Sequence, residues 1–220
     1  MTAPTWTILI PTLGQRGPLF ARLLDALLPQ LPTHGGAVRV LAWWNNGSPR
    51  LADIRQALVH AVRTDYLSFV DDDDLVPDYF VDEVIQALAS RPDYVGWRTL
   101  YHVDGEPNAT VYHSLRHRRW HQDRHGIYRD ITHLNPVRTE LAGRADFRRA
   151  RPGRAEDRVW VDQMRPHVRT EVYIDRVMYL YLWSPAVTAW QHPDRISRGP
   201  YVRPVIDSPH FAYHPESADA

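Results

Sequence analysis

Along the first hundred residues the hydrophobic positions switch between a strand period and a helix period. Thr7 to Pro11 is a short apolar run stopped by Pro and Gly, the pattern of a buried strand. Leu19, Leu23, Leu24, Leu27 and Leu28 then recur at helical spacing, which predicts a helix over Pro18 to Leu28. Val38 to Trp44 is a second apolar run, ended by Asn45-Asn46-Gly47-Ser48, a strong turn signal. Leu51 to Val62 returns to helical spacing. Tyr66 to Val70 reads as a third strand, and four aspartates, Asp71 to Asp74, follow it at once. Pro77 opens a helix through Leu88, since a first-turn proline lacks only an N–H that has no helical partner. Tyr94 to Tyr101 is a fourth strand.

This alternation predicts an α/β fold with a mostly parallel, doubly wound central sheet flanked by helices. In such sheets the ligand binds outside the carboxyl ends of the strands. Three loops collect at that edge: Pro11 to Gly17, Asn45 to Ser48 and Asp71 to Asp74. The second half is less regular. Residues 109–135 are rich in Arg, His and Trp, Glu156 to Met164 can be helical, and Glu171 to Trp183 is a long strand rich in Tyr and Val. From Pro185 the chain is dense in Pro and His and is expected to wrap the surface or fray. No internal repeat or clean linker interrupts it. The expectation is one domain over 1–220, with a ligand-binding half (1–100), a second functional half (101–190) and a tail (191–220).

Composition narrows the compartment. Cysteine is absent, which removes disulfides and thiolate metal sites and fits a reducing compartment. No apolar run is long enough to span a bilayer, and Met1 to Trp6 lacks a basic leader, so a cytoplasmic location is expected. The 26 basic and 26 acidic residues cancel, but unevenly. Residues 1–100 hold 8 Arg against 11 acids, whereas residues 113–158 hold 12 Arg against 6 acids. Every basic residue is Arg, the side chain that grips phosphate bidentately. One half looks built for a cation and the other for an anion.

The aspartate run carries the chemistry. Neighbouring carboxylates at ~4 Å repel by a few kcal/mol each at an effective dielectric near 20. A divalent cation removes that repulsion, and oxygen ligands suit Mg²⁺ or Mn²⁺. Mg²⁺ commonly takes one or two protein carboxylates and completes its shell with substrate phosphates. A solvated acidic turn ahead of a helix is the plain alternative, but it needs one or two aspartates rather than four.

The string Tyr66-Leu67-Ser68-Phe69-Val70-Asp71-Asp72-Asp73-Asp74-Leu75-Val76-Pro77 resembles the DXD segment of family-2 glycosyltransferases of the GT-A, Rossmann-like fold. The opening strand Ile8-Leu9-Ile10-Pro11-Thr12 is similar to theirs, and Asn45-Asn46-Gly47-Ser48 lies where they usually carry Asp-Asp-Gly-Ser. Ala155-Glu156-Asp157-Arg158-Val159-Trp160 is similar to their Glu-Asp segment. The resemblance implies a metal-dependent, inverting glycosyltransferase using a nucleotide-diphosphate sugar, with a UDP-sugar as the family's most frequent donor. It implies that Pro11 and Thr12 line the nucleotide pocket, that Asn45 accepts a hydrogen bond from the base, and that Arg55 lies beside the nucleotide. Asp71 would contact the ribose or the metal's water shell, Asp73 would ligate Mn²⁺ or Mg²⁺, and Asp72 and Asp74 would flank them. Asp157 would be the catalytic base, with Glu156 as the alternative. His192, after the Tyr-rich strand, is the candidate third metal ligand.

His113, His117, His121 and His125 recur every four residues and would share a face if the stretch were helical, a spacing a zinc pair can use. Arg116, Arg118, Arg119, Trp120 and Arg124 lie among them. Arg mixed with Trp and His suits a phosphate-bearing acceptor, nucleic acid included. Two other classes stay open: a nucleotidyltransferase, against which the lack of a Gly-rich, Lys-bearing loop speaks, and a non-catalytic binding relative of the fold.

Overall fold

The computed structural model describes residues 3–150, 155–184 and 211–215. In chain order the elements are β1 (Trp6–Leu13), α1 (Gly17–Leu27), β2 (Val38–Asn45), α2 (Leu51–Ala61), β3 (Tyr66–Phe69), α3 (Phe80–Leu88), β4 (Tyr94–Val103), β5 (Glu106–His113), β6 (His121–Asp123), β7 (Gly126–Arg129), β8 (Val137–Arg138), α4 (Thr139–Ala142), α5 (Glu156–Met164), β9 (Glu171–Trp183) and β10 (Phe211–Pro215), with short 3₁₀ turns between. One sheet runs in the order β10-β2-β1-β3-β8-β4-β5-β7-β6, and β9 pairs with the other edge of β4. The β10–β2, β2–β1, β1–β3, β4–β9 and β5–β7 pairs are parallel, so the sheet is mostly parallel as expected.

Strand pleating sorts the core into two layers. On β1, Trp6, Ile8 and Ile10 enter the layer under α1 and α3, while Leu9 enters the opposite layer under α2 and α5. Tyr66 follows the first layer, and Leu67 and Phe69 the second. That period of two on both faces is why these strands read as unbroken apolar runs. Trp44 is buried in the first layer against Phe20, and Trp43 packs on the second.

Several expectations need correction. The helix expected from Pro77 starts at Phe80; the Pro77 carbonyl accepts the Phe80 N–H at 3.1 Å, so the proline sits in the turn before it. The stretch 109–135 is not helical. His113 ends β5, His117 lies in a turn, His121 is on β6 and His125 is in the β6–β7 turn, so the four do not line a helix face, although the His117 and His121 rings meet at 5.9 Å. Apolar-aromatic pairs decide this: Val111 and Tyr112 register with Ile127 and Tyr128, and the two tyrosine rings stack at 5.0 Å. In the tail, residues 211–215 add a parallel strand to β2 rather than fraying.

β4 carries strands on both sides, and Gly96 sits where both close in. A Cβ there would come within 2.5 Å of the His113 carbonyl oxygen and also collide with the Glu171 carboxylate and the Tyr173 ring. Gly96→Ala is therefore expected to cost about 2–3 kcal/mol by overpacking, read as a lowered urea midpoint at unchanged slope. An unshifted midpoint would contradict the β5–β4–β9 register.

Candidate active site

The carboxyl ends of β1, β2 and β3 open onto a cleft of about 890 Å³. Pro11, Thr12, Asn45, Arg55, Asp71 to Asp74, Glu156 and Asp157 all line it. The three loops expected at the sheet edge are thus brought together, and so is the start of α5.

The four aspartates have different environments. Asp72 is 1% exposed and accepts hydrogen bonds from Thr12 Oγ1 at 2.7 Å and Arg16 Nη1 at 2.5 Å. Asp74 is 2% exposed and accepts from the Tyr179 hydroxyl at 2.7 Å and the Leu182 N–H at 2.8 Å. Burial holds both above the usual carboxylate range. Asp71 and Asp73 keep part of their surface in the cleft. Burial also pushes the Asp73 carboxyl up, to about 6, with Asp71 and Asp72 adding to the shift and Arg16, 3.2 Å away, opposing it. Asp71 is held low instead. Its burial is outweighed chiefly by the Arg55 guanidinium, which is both near it and hydrogen-bonded to it.

Arg55 is the residue that joins the two halves. It leaves α2 and is 5% exposed, with its guanidinium over Phe69 at 5.7 Å and Phe147 at 6.0 Å. Nη2 donates to Asp71 Oδ1 at 2.9 Å and Nη1 donates to Glu156 Oε1 at 2.7 Å. Glu156 is therefore committed to an ion pair. Asp157, the next residue, lines the cleft, accepts its neighbour Arg158 N–H at 2.8 Å, and makes no ion pair among the described residues. Of the two acids, Asp157 is the one with a carboxylate available to a proton.

At the nucleotide end expected from the sequence, Thr12 turns its hydroxyl to Asp72, leaving its backbone and Pro11 as the wall. Asn45 is 3% exposed; Nδ2 donates to the Thr12 carbonyl at 2.9 Å, and Oδ1 accepts the Gly47 N–H at 2.8 Å. Gly47 has φ 104°, the left-handed region where glycine belongs. Asn45 thus locks the β1 and β2 loops together and keeps one Oδ1 lone pair for a further donor. His192 lies outside the described residues.

Among the described residues, no group of three or more His, Asp or Glu side chains could form a metal cage. A zinc site among the spaced histidines is therefore not formed. The oxygens of Asp71 and Asp73, crowded by like charges, do fit a hard cation that takes few protein ligands and completes its shell with phosphate and water. Sequence reasoning missed Arg16, Tyr179, Arg129 and His133, and took His113 only as one of the spaced histidines. Arg16 stood in a loop already assigned to the ligand edge, whereas Tyr179 reaches Asp74 from 105 positions away.

No protein-family model matches the chain and no curated protein matches it in sequence. Its fold is similar to that of Staphylococcus aureus TarS residues 1–349, with TM-score 0.62, 12% identity, 81% of this chain and 60% of that one covered. The same TarS fragment in complex with UDP-GlcNAc aligns at TM-score 0.60 and 12% identity, over 81% of this chain and 58% of that one. In complex with UDP it aligns at 0.60 and 13%, over 82% and 61%. The fold class is GT-A. The chain spans about 60% of the length of that TarS fragment. Among the described residues no helix is long and apolar enough to cross a membrane.

Arg55→Met keeps the aliphatic volume but strands two carboxylates in a partly buried site. We expect a loss of about 3 kcal/mol in urea unfolding, largely recovered when Asp71→Asn and Glu156→Gln are added. A single variant as stable as the native chain would show that the bridge carries no structural weight.

Proposed function

We propose that the chain is a glycosyltransferase that uses a nucleotide-diphosphate sugar, with a UDP-sugar as the favoured donor. One observation carries this: on a GT-A sheet, Asp71, Asp73 and Asp157 line a single cleft, and Arg55 pairs with Glu156 there but leaves Asp157 unpaired. The likeness to a structure holding UDP-GlcNAc supports the donor class.

In the proposed reaction an acceptor hydroxyl oxygen attacks the anomeric carbon. The bond from that carbon to the diphosphate oxygen breaks, the nucleoside diphosphate leaves with the electron pair, and the hydroxyl proton passes to Asp157. Attack from the face opposite the leaving group inverts the anomeric configuration. Asp73, with Asp71 behind it, would hold Mn²⁺ or Mg²⁺. When bound, the ion supplies charge neutralisation for the diphosphate. Arg16 orients Asp72 and Asp73, and Tyr179 fixes Asp74, so the loop is positioned before any ligand arrives. Arg55 holds the start of α5 against β3 and so places Asp157 relative to the donor end.

Thermal unfolding with a panel of nucleoside diphosphates, with and without Mn²⁺, tests the donor site. A ligand at one hundred times its dissociation constant stabilises by about 2.7 kcal/mol. A metal-dependent shift with UDP is expected, and Asp73→Ala should abolish it. No shift with any nucleotide would turn the assignment toward a non-catalytic relative of the fold. For the base, Asp157→Asn should lower UDP release from the donor sugar by about 10²–10⁴-fold while leaving UDP affinity intact. Undiminished release would remove Asp157 from the role.

A further inference from the structure

A second wall of the cleft is made by β4, β5, β7 and the loop before β8. Thr99, His113, Arg129 and His133 line it. Each has a buried polar atom without a hydrogen-bond partner: Thr99 Oγ1, His113 Nδ1, Arg129 Nε and His133 Nε2. Buried polar atoms in folded proteins are nearly always satisfied. Those four atoms lie just behind the surface of one wall, so that wall is polar without being satisfied from within.

The charge of that ligand follows from the same residues. The Arg129 guanidinium stacks on Trp120, 4.6 Å from the ring centroid, and has no carboxylate at ion-pair distance among the described residues. Arg158 approaches the same ring at 4.8 Å but is paired with Asp162 at 3.0 Å. The imidazoles add no charge. Burial pulls His113 down to about 3, with Arg129 next in effect, and pulls His133 down to about 4, with Arg55 next. Arg129 is thus a partly desolvated cation among neutral donors and acceptors, and its neighbours include Asp157, Tyr101 and Tyr181. A desolvated guanidinium without a partner is most stable when an anion completes it.

We infer that Arg129 is a specificity-determining residue that receives a carboxylate or phosphate of the substrate beside Asp157, an inference that rests on the glycosyltransferase reading. The anion can be borne by the transferred sugar, as in a uronic acid, or by the acceptor. The donor diphosphate is served by the other wall, where Arg16 accompanies the aspartates.

Calorimetric titrations of the native chain, Arg129→Gln and Arg129→Lys separate these sources. UDP, UDP-glucose and UDP-glucuronate are titrated with Mg²⁺, and inorganic phosphate is titrated into UDP-saturated protein. UDP-glucuronate binding at least tenfold tighter than UDP-glucose, with the difference lost in Arg129→Gln and largely kept in Arg129→Lys, places the anion on the sugar. Equal donor affinities with phosphate binding that Arg129→Gln removes place it on the acceptor. Neither effect in native protein that binds UDP would overturn the inference. So would a loss of affinity for UDP itself in Arg129→Gln, since Arg129 would then serve the nucleotide or the fold. Native protein that fails to bind UDP would sink the glycosyltransferase reading instead. Phosphate titrated into nucleotide-free native and Arg129→Gln protein would then decide the anion site by itself.

Discussion

Four carboxylates at the end of a buried strand cannot all be charged and unpartnered, and the site is organised by how the fold resolves that conflict. Arg16 takes Asp72, Arg55 takes Asp71, and the Tyr179 hydroxyl with the Leu182 N–H takes Asp74. Asp73 keeps one cation, Arg16 at 3.2 Å, and burial with its like-charged neighbours raises its proton affinity, as burial also does for Asp72 and Asp74. Each partner comes from a different element: the loop after β1, α2 and β9. The aspartate run therefore ties β3 to three other parts of the chain. A buried carboxylate that loses its partner destabilises strongly, so the same contacts that tune the site also fix the positions of those elements.

Environment, not residue type, divides labour here. Asp71 and Asp73 are two residues apart, yet one is held low by a guanidinium and the other is pushed up by burial and like charges. Glu156 and Asp157 are adjacent, yet one is bound to Arg55 and the other is not. Pairs of acids whose surroundings drive them apart are the usual basis for separate roles in one active site. The helix start of α5 contributes as well: both acids lie in its first turn, where the backbone N–H groups favour negative charge.

The sequence made the first half legible because strand and helix periods there are clean and turn residues punctuate them. β1, β2, β3, α1 and α2 fall within a residue or two of their expected limits, and β9 matches Glu171 to Trp183 in full. Sheet-edge logic also grouped the three loops that line the cleft. What no local pattern could show was which aspartate meets which partner. Tyr179 is 105 positions from Asp74, and Glu156 is 101 from Arg55. The histidine spacing of four suits a helix, but the aromatic and β-branched positions beside it decide for strands. Val111, Tyr112, Ile127 and Tyr128 pair as strands and place His113 inside the cleft, while His121 stacks outside on Tyr128 at 4.7 Å. Arg129 carried no motif at all; its significance lies in a missing partner, which only the packed structure discloses.

The uneven charge of the chain acquires a physical meaning in the cleft. Acidic residues exceed Arg in the first hundred positions, and the loop after β3 delivers Asp71 to Asp74 to one wall. Arg exceeds acids over 113–158, and most of that excess stays at the surface, screened by solvent. Arg129 is different because β7 pairs with β5 and turns it inward, where Trp120 covers one face and burial raises the value of any anion it meets. On the proposed reading the two sets of residues would receive different parts of one substrate, the cation-holding aspartates its diphosphate and Arg129 its second negative group. Asp157 lies between these preferences, lining the same cleft and close enough to Arg129 to feel its charge.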